Sequence, residues 1–319
     1  MSTQSIAALF GLSGVPAEAV VQVFDDVSNP YIPSVNSDYV FRRDFVRELI
    51  AFLTFPSGDS LYVTGPTGSG KTSGVTETLG RMNWPMQSVT AHGNLELNDL
   101  IGHYALVSRK EGEQPSMQFV YGALATAMRE GHVLLINEID LMNPAELSGL
   151  NDVLEGRPLV ISANGGEVIK PHANFRVIVT GNSTGAGDAT GLYQGVLMQN
   201  MAAMDRYRFT VVDYPAEADE VAIVTKAAPG IVPTVAQAMV KLANEVRSAF
   251  VGGDNHPGQL SLTMSTRTLV RWAKLTLVHR KAEKPLEYAL QQAFLARANE
   301  VEKVAVIQIA KDVFGQSWA

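Results

Sequence analysis

"GPTGSGKT", Gly65–Thr72, is the stretch of this 319-residue chain that decides its fold. It matches the spacing G-x-x-x-x-G-K-[ST] at every fixed position, which is typical of a loop that binds phosphate groups. The apolar run "LYVTG" (61–65) precedes it, and a helix is expected from Lys71 to about Met82. A glycine-rich turn with a chance lysine is the alternative. It is disfavoured because the pattern and its strand–loop–helix context agree, and the two together predict an α/β domain.

Each residue type in this loop has a physical task. Glycines let backbone N–H groups curl round a phosphate, and the N-terminus of the following helix adds positive potential. Lys71 is expected to reach the β- and γ-phosphates of a nucleotide, and Thr72 to offer its hydroxyl to magnesium. The sequence therefore predicts ATP and Mg²⁺ as cofactors, with the nucleotide held by Gly65, Pro66, Thr67, Gly68, Ser69, Gly70, Lys71 and Thr72.

"HVLLINEID" (132–140) predicts a buried strand that ends in polar residues. In ATPases built this way, an acidic residue at the strand end holds magnesium and a neighbouring carboxylate polarises the attacking water. Glu138 is placed for the second role, although a strand end with ordinary polar residues is the alternative. Asn137 occupies the magnesium position, where it keeps an oxygen ligand but lacks a charge, and its NH₂ group is expected to face other donors. Asp140 is expected to lie outside the innermost ligands.

Three further polar residues are weak functional signals when each is taken alone, and they become candidates only in combination. Asn182 ends "TGN" after an expected strand and could hold the attacking water. Arg206, in "MDRYR", precedes another strand, and Arg267, in "STRTLVRW", lies near the start of a helix. A single arginine is more often a solvated surface charge.

Composition narrows the classes of function. Hydrophobic residues make up 46% and charged residues 18%, which indicates a globular chain with a sizeable core. The net charge of −7 disfavours non-specific binding of nucleic acid or of an anionic membrane. No cysteine is present, which excludes disulfides and thiolate metal sites. The chain has no apolar run near the ~20 residues of a membrane span and no basic residue before Arg42, so a cytoplasmic location is expected.

Alternating strands and helices give way to helices alone at about residue 213. We predict an N-terminal arm at 1–40, an α/β nucleotide-binding domain at 41–212 and a helical domain at 213–319. The arm is expected to be either a docking arm or a short helix with extended chain. The expected elements are strands at 61–65, 86–91, 133–136, 175–182 and 208–214, a helix over 144–156, and hairpins over 103–122 and 158–170. The first hairpin is expected to turn near Glu111–Gln114 and the second at Asn164–Gly165.

Long stretches of the chain resemble one family. They are "NSDYVFRRD" (36–44), "RMNWP" (81–85), "VIKPHANFRVIVTGN" (168–182), "GDATGLYQG" (187–195), "MDRYR" and "RSAFVGGD…TMSTRTLVRWA". Together with the order of the phosphate loop, "NEID", "TGN" and the helical region, they resemble the MoxR branch of the AAA+ ATPases. Within that branch, the resemblance is strongest to the CobS-like AAA+ subunits of aerobic cobaltochelatases. It covers nearly the whole chain.

This resemblance implies a parallel five-stranded sheet with helices on both faces, two hairpin insertions that face a pore or substrate, and a helical lid. It implies a homohexameric ring with ATP bound between subunits. It also implies a partner protein with a von Willebrand A domain. Such ATPases use ATP to remodel this partner or a client, including during metal insertion into a tetrapyrrole. Lys71, Thr72, Glu138 and Asn182 would act within one subunit. Arg206 would be the arginine finger for the next subunit, and Arg267 would fold the lid over the nucleotide.

Asn137 departs from the family pattern, which has aspartate there. Two hypotheses of function therefore stand: a remodelling ATPase that turns over slowly, and an ATP-gated assembly module with little turnover. A motor acting on nucleic acid is a third, and the acidic charge balance argues against it.

Overall fold

The fold is seen in a computed structural model that describes residues 1–108, 114–187, 195–251 and 260–318. Contacts within the chain define two compact units. The first comprises residues 1–35, 43–65 and 71–212, and the second comprises residues 36–42, 66–70 and 213–319. The phosphate loop thus contributes its two ends to the first unit and its middle residues to the second. The predicted division at residues 40 and 212 stays a prediction.

Strands and helices alternate through the first unit. The strands are β1 (Ser2–Ser5), β2 (Val20–Val23), β3 (Ser60–Thr64), β4 (Met86–Thr90), β5 (Gly102–Val107), β6 (Ser116–Tyr121), β7 (Val133–Asn137), β8 (Leu159–Ile161), β9 (Glu167–Ile169), β10 (Arg176–Gly181) and β11 (Tyr207–Val211). Its helices are α1 (Ile6–Phe10), α2 (Arg43–Thr54), α3 (Lys71–Arg81), α4 (Leu97–Ile101), α5 (Ala123–Glu130), α6 (Pro144–Ser148), α7 (Asn151–Leu154) and α8 (Met201–Met204).

A five-stranded parallel sheet forms the centre of this unit, in the order β11-β3-β10-β7-β4. Every residue of β3 and β7 is buried. Since successive side chains of a strand point to opposite faces, both faces of the sheet are covered at these two strands. This explains why both strands appear in the sequence as continuous apolar runs. The predicted parallel sheet is confirmed.

Two antiparallel hairpins extend from the sheet. β5 pairs with β6 from Gly102–Tyr121 to Val107–Ser116, and β8 pairs with β9. The turn predicted for the first hairpin falls on residues 111–113, which lie outside the described residues. The second hairpin turns over residues 162–166, which include the predicted Asn164–Gly165. Ser162–Asn164 form a 3-10 turn, and Gly165 and Gly166 supply the positive φ angles of 67° and 76°.

Two expectations about secondary structure need correction. The predicted arm contains a paired sheet, because β1 is antiparallel to β2 and Val21 and Val23 are buried. The polar "STQS" of β1 lacks the alternation that would have revealed a strand. The single helix predicted over 144–156 is two short helices, α6 and α7, separated at Gly149. Glycine weakens a helix because it gains the most backbone freedom outside it.

The second unit is helical. Its helices are α9 (Glu217–Ala227), α10 (Pro233–Val251), α11 (Thr266–Val278), α12 (Pro285–Ala293) and α13 (Glu300–Phe314). They pack around a core that includes Trp272 and Phe294. Met239, Leu242 and Val246 of α10 are fully buried. None of the described helices combines the length and hydrophobicity that crossing a bilayer requires.

Candidate functional site

Three neighbouring parallel strands bring predicted site residues to one edge of the sheet. β3 runs into Gly65, β7 ends at Asn137, and Asn182 follows β10. β10 lies between β3 and β7, and Gly181 at its end pairs with Thr64 at the end of β3. Parallel strands place their carboxyl ends at the same edge, where open α/β sheets bind ligands. The order of the strands therefore places Asn182 between the phosphate loop and the end of β7.

Lys71 links the phosphate loop to Asn182. Its Nζ donates to the Gly65 carbonyl oxygen at 2.7 Å and to Asn182 Oδ1 at 2.9 Å. In loops of this pattern, the ammonium lies beside the β- and γ-phosphates of the nucleotide. Because Asn182 accepts through Oδ1, its Nδ2 group is the part that can donate to a phosphate oxygen or orient a water molecule. The structure thus brings these two predicted residues together.

Asn137 is held with its oxygen towards the phosphate loop. Thr72 Oγ1 donates to Asn137 Oδ1 at 2.8 Å, and Thr180 Oγ1 donates to the same oxygen at 3.4 Å. On the other side, Asn137 Nδ2 donates to Ser88 Oγ at 3.1 Å and to the Val89 carbonyl oxygen at 3.5 Å. The expectation that this NH₂ group faces other donors is wrong, because strand β4 supplies acceptors. The amide therefore fits the position that an aspartate would occupy.

We expect Asn137→Asp to raise the ATPase rate about 5-fold and to lower the magnesium concentration required. A charged acceptor binds about twice as strongly as a neutral one, so the gain is about 1 kcal/mol. The second carboxylate oxygen would face the Val89 carbonyl oxygen, which limits the gain. The measurement is a magnesium titration of steady-state hydrolysis for both chains. Coincident curves would mean that the missing charge has no kinetic effect.

Glu138 leaves the buried strand through an unusual backbone conformation. Its φ of 55° and ψ of 44° are left-handed, which costs a non-glycine residue about 1–2 kcal/mol. Two hydrogen bonds hold it there: its N–H donates to Thr180 Oγ1 at 3.2 Å, and its carbonyl oxygen accepts from the Leu141 N–H at 2.9 Å. The side chain is exposed while the strand residues before it are buried. The Glu138 side chain is therefore exposed at the carboxyl end of β7.

Asp140 fixes the end of β10. It is fully buried, and its Oδ2 accepts from the backbone N–H groups of Asn182 at 2.7 Å and Ser183 at 3.1 Å. Charge-assisted bonds to N–H groups offset the cost of burying a carboxylate. Burial, with the charge of Asp140 nearby, raises the pKa of the Tyr62 hydroxyl well above its usual value. Asp140 therefore holds the backbone of Asn182 in place. This agrees with the expectation that Asp140 lies outside the innermost ligands of magnesium.

Two glycines of the loop permit close packing. A Cβ at Gly65, whose φ is 147°, would overlap the carbonyl oxygen of Val212. A Cβ at Gly68, whose φ is 69°, would overlap the side chain of Ser265. Gly68 and Ser265 belong to the same compact unit. Both glycines are therefore required by the space around them as well as by their backbone conformation.

The second unit contains a cavity of about 390 Å³ beside the middle of the loop. Its wall includes Arg247, whose guanidinium lies 3.9 Å from the centre of the Tyr214 ring. Glu220 binds Arg247 with two contacts of 2.7 Å, and Tyr214 donates to the Thr67 carbonyl oxygen at 3.1 Å. An aromatic and guanidinium wall suits a flat heteroaromatic ring. The lining residues are Pro66, Asp213, Tyr214, Arg247, Ser248, Phe250 and Thr263.

We call Lys71, Thr72, Asn137 and Asn182 the Lys71 group. The described contacts of Arg206 do not include any of these residues. Its Nε and Nη2 contact Glu155 Oε1 at 2.8 and 2.6 Å, and its Nη1 donates to the Ala202 carbonyl oxygen. Its side chain is 27% exposed. Arg267 lies exposed in the first turn of α11, after Ser265, which caps the helix by accepting from the Thr268 N–H. The structure thus leaves both predicted arginines on the surface of their own units.

The oxygen atoms and the ammonium group at this edge of the sheet fit Mg²⁺ and ATP, the cofactors that the sequence predicts. Thr72 Oγ1 and Asn137 Oδ1 are 2.8 Å apart, and both are oxygens of the kind that Mg²⁺ binds. Mg²⁺ commonly keeps most of its other ligands as water and substrate phosphate, so few protein oxygens suffice. The ammonium of Lys71 supplies the positive charge for the phosphates.

Some functional candidates were missed from the sequence. Ser88 and Val89 gave no signal, because their contact with Asn137 depends on the pairing of β4 with β7. The cavity residues Tyr214, in the connection between β11 and α9, and Arg247, in α10, carry no motif. Only the "VDY" that ends the last predicted strand could have indicated a polar residue near the loop.

Family comparisons agree with these observations. The family model "AAA domain (dynein-related subfamily)" matches residues 60–194, and "CbbQ/NirQ/NorQ C-terminal" matches residues 220–313. The CobS subunit of aerobic cobaltochelatase from Sinorhizobium sp is 31% identical over 291 residues, which cover 89% of this chain and 83% of the relative.

Two further matches extend over most of the chain. An uncharacterised protein from Staphylococcus epidermidis is 31% identical over 257 residues, covering 79% of this chain and 90% of the relative. Among solved structures, a point mutant of RuvB from Thermotoga maritima has a TM-score of 0.48 and 13% identity, and the match covers 88% of this chain and 73% of RuvB.

Proposed function

The chain belongs to the MoxR-type, CobS-like AAA+ ATPases, and on this basis we propose that it hydrolyses ATP as an oligomeric ring that remodels a protein partner. The observation that carries the proposal is the pair of contacts Lys71–Asn182 and Thr72–Asn137. They gather the loop, the end of β7 and the end of β10 at one edge, where Glu138 is exposed.

The chemical step assigns one task to each of these residues. Lys71 would bind the β- and γ-phosphates, and Thr72 and Asn137 would hold Mg²⁺, whose charge would offset that of the phosphates. Glu138 accepts a proton from the water that attacks the γ-phosphorus, and the bond to the β-phosphate oxygen breaks. Asn182 orients that water or a γ-phosphate oxygen through its Nδ2 group. The cavity lined by Tyr214 and Arg247 takes the adenine ring.

Arg206 acts on the nucleotide of a neighbouring subunit in this proposal. Its described contacts are with Glu155 and Ala202, not with the Lys71 group, which supports a role outside its own site. Exposed apolar side chains precede it, with Met198 73% and Met201 87% exposed. Methionine and arginine are enriched in the cores of protein–protein interfaces, which supports a contact with another copy here. Arg267 would bring its charge to the nucleotide from the lid.

The hairpins form the surface proposed for the client. Tyr104 of β5 donates to Asn164 Oδ1 at 3.1 Å, and Tyr121 of β6 donates to Glu167 Oε2 at 2.8 Å, so the two hairpins are hydrogen-bonded to each other. Large apolar side chains stay exposed on them: Tyr104, Leu106, Met117, Val120, Val160 and Val168. We propose a client or partner with a von Willebrand A domain. Because one relative is a subunit of an aerobic cobaltochelatase, metal insertion is one task that we propose for this chain.

The second candidate is an ATP-gated assembly module with little turnover. The neutral Asn137, which accepts from Thr72 Oγ1, favours it, since neither side chain would bring a negative charge to Mg²⁺. In this case, ATP binding closes the ring and the partner is released when the nucleotide leaves.

Phosphate release from Mg·ATP separates the candidates. We expect the purified chain to release phosphate slowly, with the same rate with and without DNA, and Lys71→Ala to release none. Bound ATP without turnover, even with a partner present, would favour the assembly module. A rate that DNA stimulates many-fold would favour a nucleic-acid motor.

A further inference from the structure

We propose that Glu155 is a positioning residue that holds Arg206 ready for the neighbouring nucleotide. The inference rests on the proposed function of Arg206 as a residue that acts between subunits. Glu155 caps the end of α7, fifty-one positions before Arg206 in the chain. Its Oε1 accepts from Arg206 Nε at 2.8 Å and from Arg206 Nη2 at 2.6 Å. The two side chains are 31% and 27% exposed, so the pair lies at the surface.

The guanidinium is held on two of its sides. Besides the two contacts with Glu155, Arg206 Nη1 donates to the carbonyl oxygen of Ala202 in α8. Arginine carries five N–H donors in a fixed plane. Three of them are accounted for by these contacts, one from each nitrogen. Among the contacts of the described residues, one N–H on each terminal nitrogen has no acceptor, and this pair can bind two oxygens of a phosphate.

This arrangement prepares the arginine for catalysis. A free arginine side chain samples many rotamers, and it loses this conformational entropy when it binds a phosphate. Glu155 and Ala202 fix the guanidinium in advance, and a pre-organised donor is more effective at a developing charge. The described side-chain contacts of Glu155 are with Arg206 and Arg157, so its proposed effect on the nucleotide is exerted through Arg206.

The test is a double-mutant cycle in steady-state ATP hydrolysis. We expect Glu155→Gln to lower kcat about 10-fold and to leave KM for ATP unchanged, because the loss falls on the transition state and not on nucleotide binding. Glu155→Ala, which leaves no acceptor, is expected to lower kcat further. The double variant Glu155→Gln with Arg206→Ala is expected to be no slower than Arg206→Ala alone, since residues that act as a unit are not additive.

Arg157 provides the matched control. Its Nη2 contacts the other carboxylate oxygen of Glu155 at 2.6 Å, and its Nη1 contacts Asp152 at 2.9 Å. Arg157→Gln removes that ion pair without touching Arg206, and we expect wild-type kcat and KM. A loss of kcat that followed from general damage at the end of α7 would appear in this variant too.

The outcomes distinguish the inference from the function on which it rests. If Arg206→Ala is slow but Glu155→Gln keeps wild-type kcat, the positioning role is wrong and the role of Arg206 stands. A Glu155→Gln variant faster than wild type would also overturn it, because Glu155 would then restrain Arg206. If Arg206→Ala itself keeps wild-type turnover, the proposed role of Arg206 fails, and the inference fails with it.

Discussion

Arg206→Ala is expected to lower steady-state ATP turnover by about 10³–10⁵-fold, the range that an arginine finger contributes in related phosphoryl transfer. The guanidinium would stabilise the charge that spreads over the γ-phosphoryl oxygens in the transition state. Nucleotide affinity should change little, because the loop, Lys71 and Thr72 belong to the other side of the site. The measurement is kcat by phosphate release, together with the affinity for a fluorescent ATP analogue.

Two variants sharpen this prediction. Arg206→Lys keeps a positive charge but loses the planar fork, so we expect it to recover little of the lost rate. Arg208→Gln is the matched control, because Arg208 lies two residues further on and pairs with Asp59 at 3.0 Å. It should turn over ATP like the wild type. Wild-type turnover in Arg206→Ala would return Arg206 to the class of solvated surface charges.

Glu138→Gln is expected to lower turnover by about 10²–10⁴-fold, the usual contribution of a general base. Glutamine has the same shape and the same backbone cost in the left-handed conformation, so the turn after β7 should persist. Its amide cannot take the proton from the attacking water. ATP should therefore stay bound and the assembly intact, and single-turnover hydrolysis should be slow with pre-bound Mg·ATP.

Glu130→Gln is the control for this variant. Glu130 is an exposed carboxylate at the end of α5, paired with Arg129 at 2.9 Å. Its amide variant should hydrolyse ATP at the wild-type rate. Should Glu138→Gln keep most of its single-turnover rate, another group must accept the proton, and the assignment of Glu138 would be wrong.

The sheet and its loop could be predicted from the sequence because local signals agree there. Strands buried on both faces, such as β3 and β7, appear as continuous apolar runs, and the loop has a fixed glycine spacing. The positions of Asn137, Glu138 and Asn182 could be predicted as well, because each residue lies at the end of an apolar strand or directly after it. Strand β1 could not be predicted in this way, because its residues are polar and its pairing comes from β2.

The finer geometry of the site depends on contacts between distant parts of the chain. The orientation of Asn137 is set by Ser88 on a neighbouring strand, and the anchoring of Asn182 by the buried Asp140. Arg206 meets Glu155 across fifty-one positions. Spacing along the sequence carries no information about such pairs. The resemblance to a family indicated only which single residues were candidates for the site.

The central claim is that each active site is built from two subunits, and mixing two inactive variants tests it most directly. Lys71→Ala subunits cannot hold the phosphates but supply an intact Arg206, and Arg206→Ala subunits keep an intact loop. In a randomly mixed assembly, about one interface in four would combine the intact loop with the intact arginine. The account predicts that the mixture hydrolyses ATP well above the sum of its two components. A mixture no more active than that sum, from subunits shown to assemble together, would contradict it.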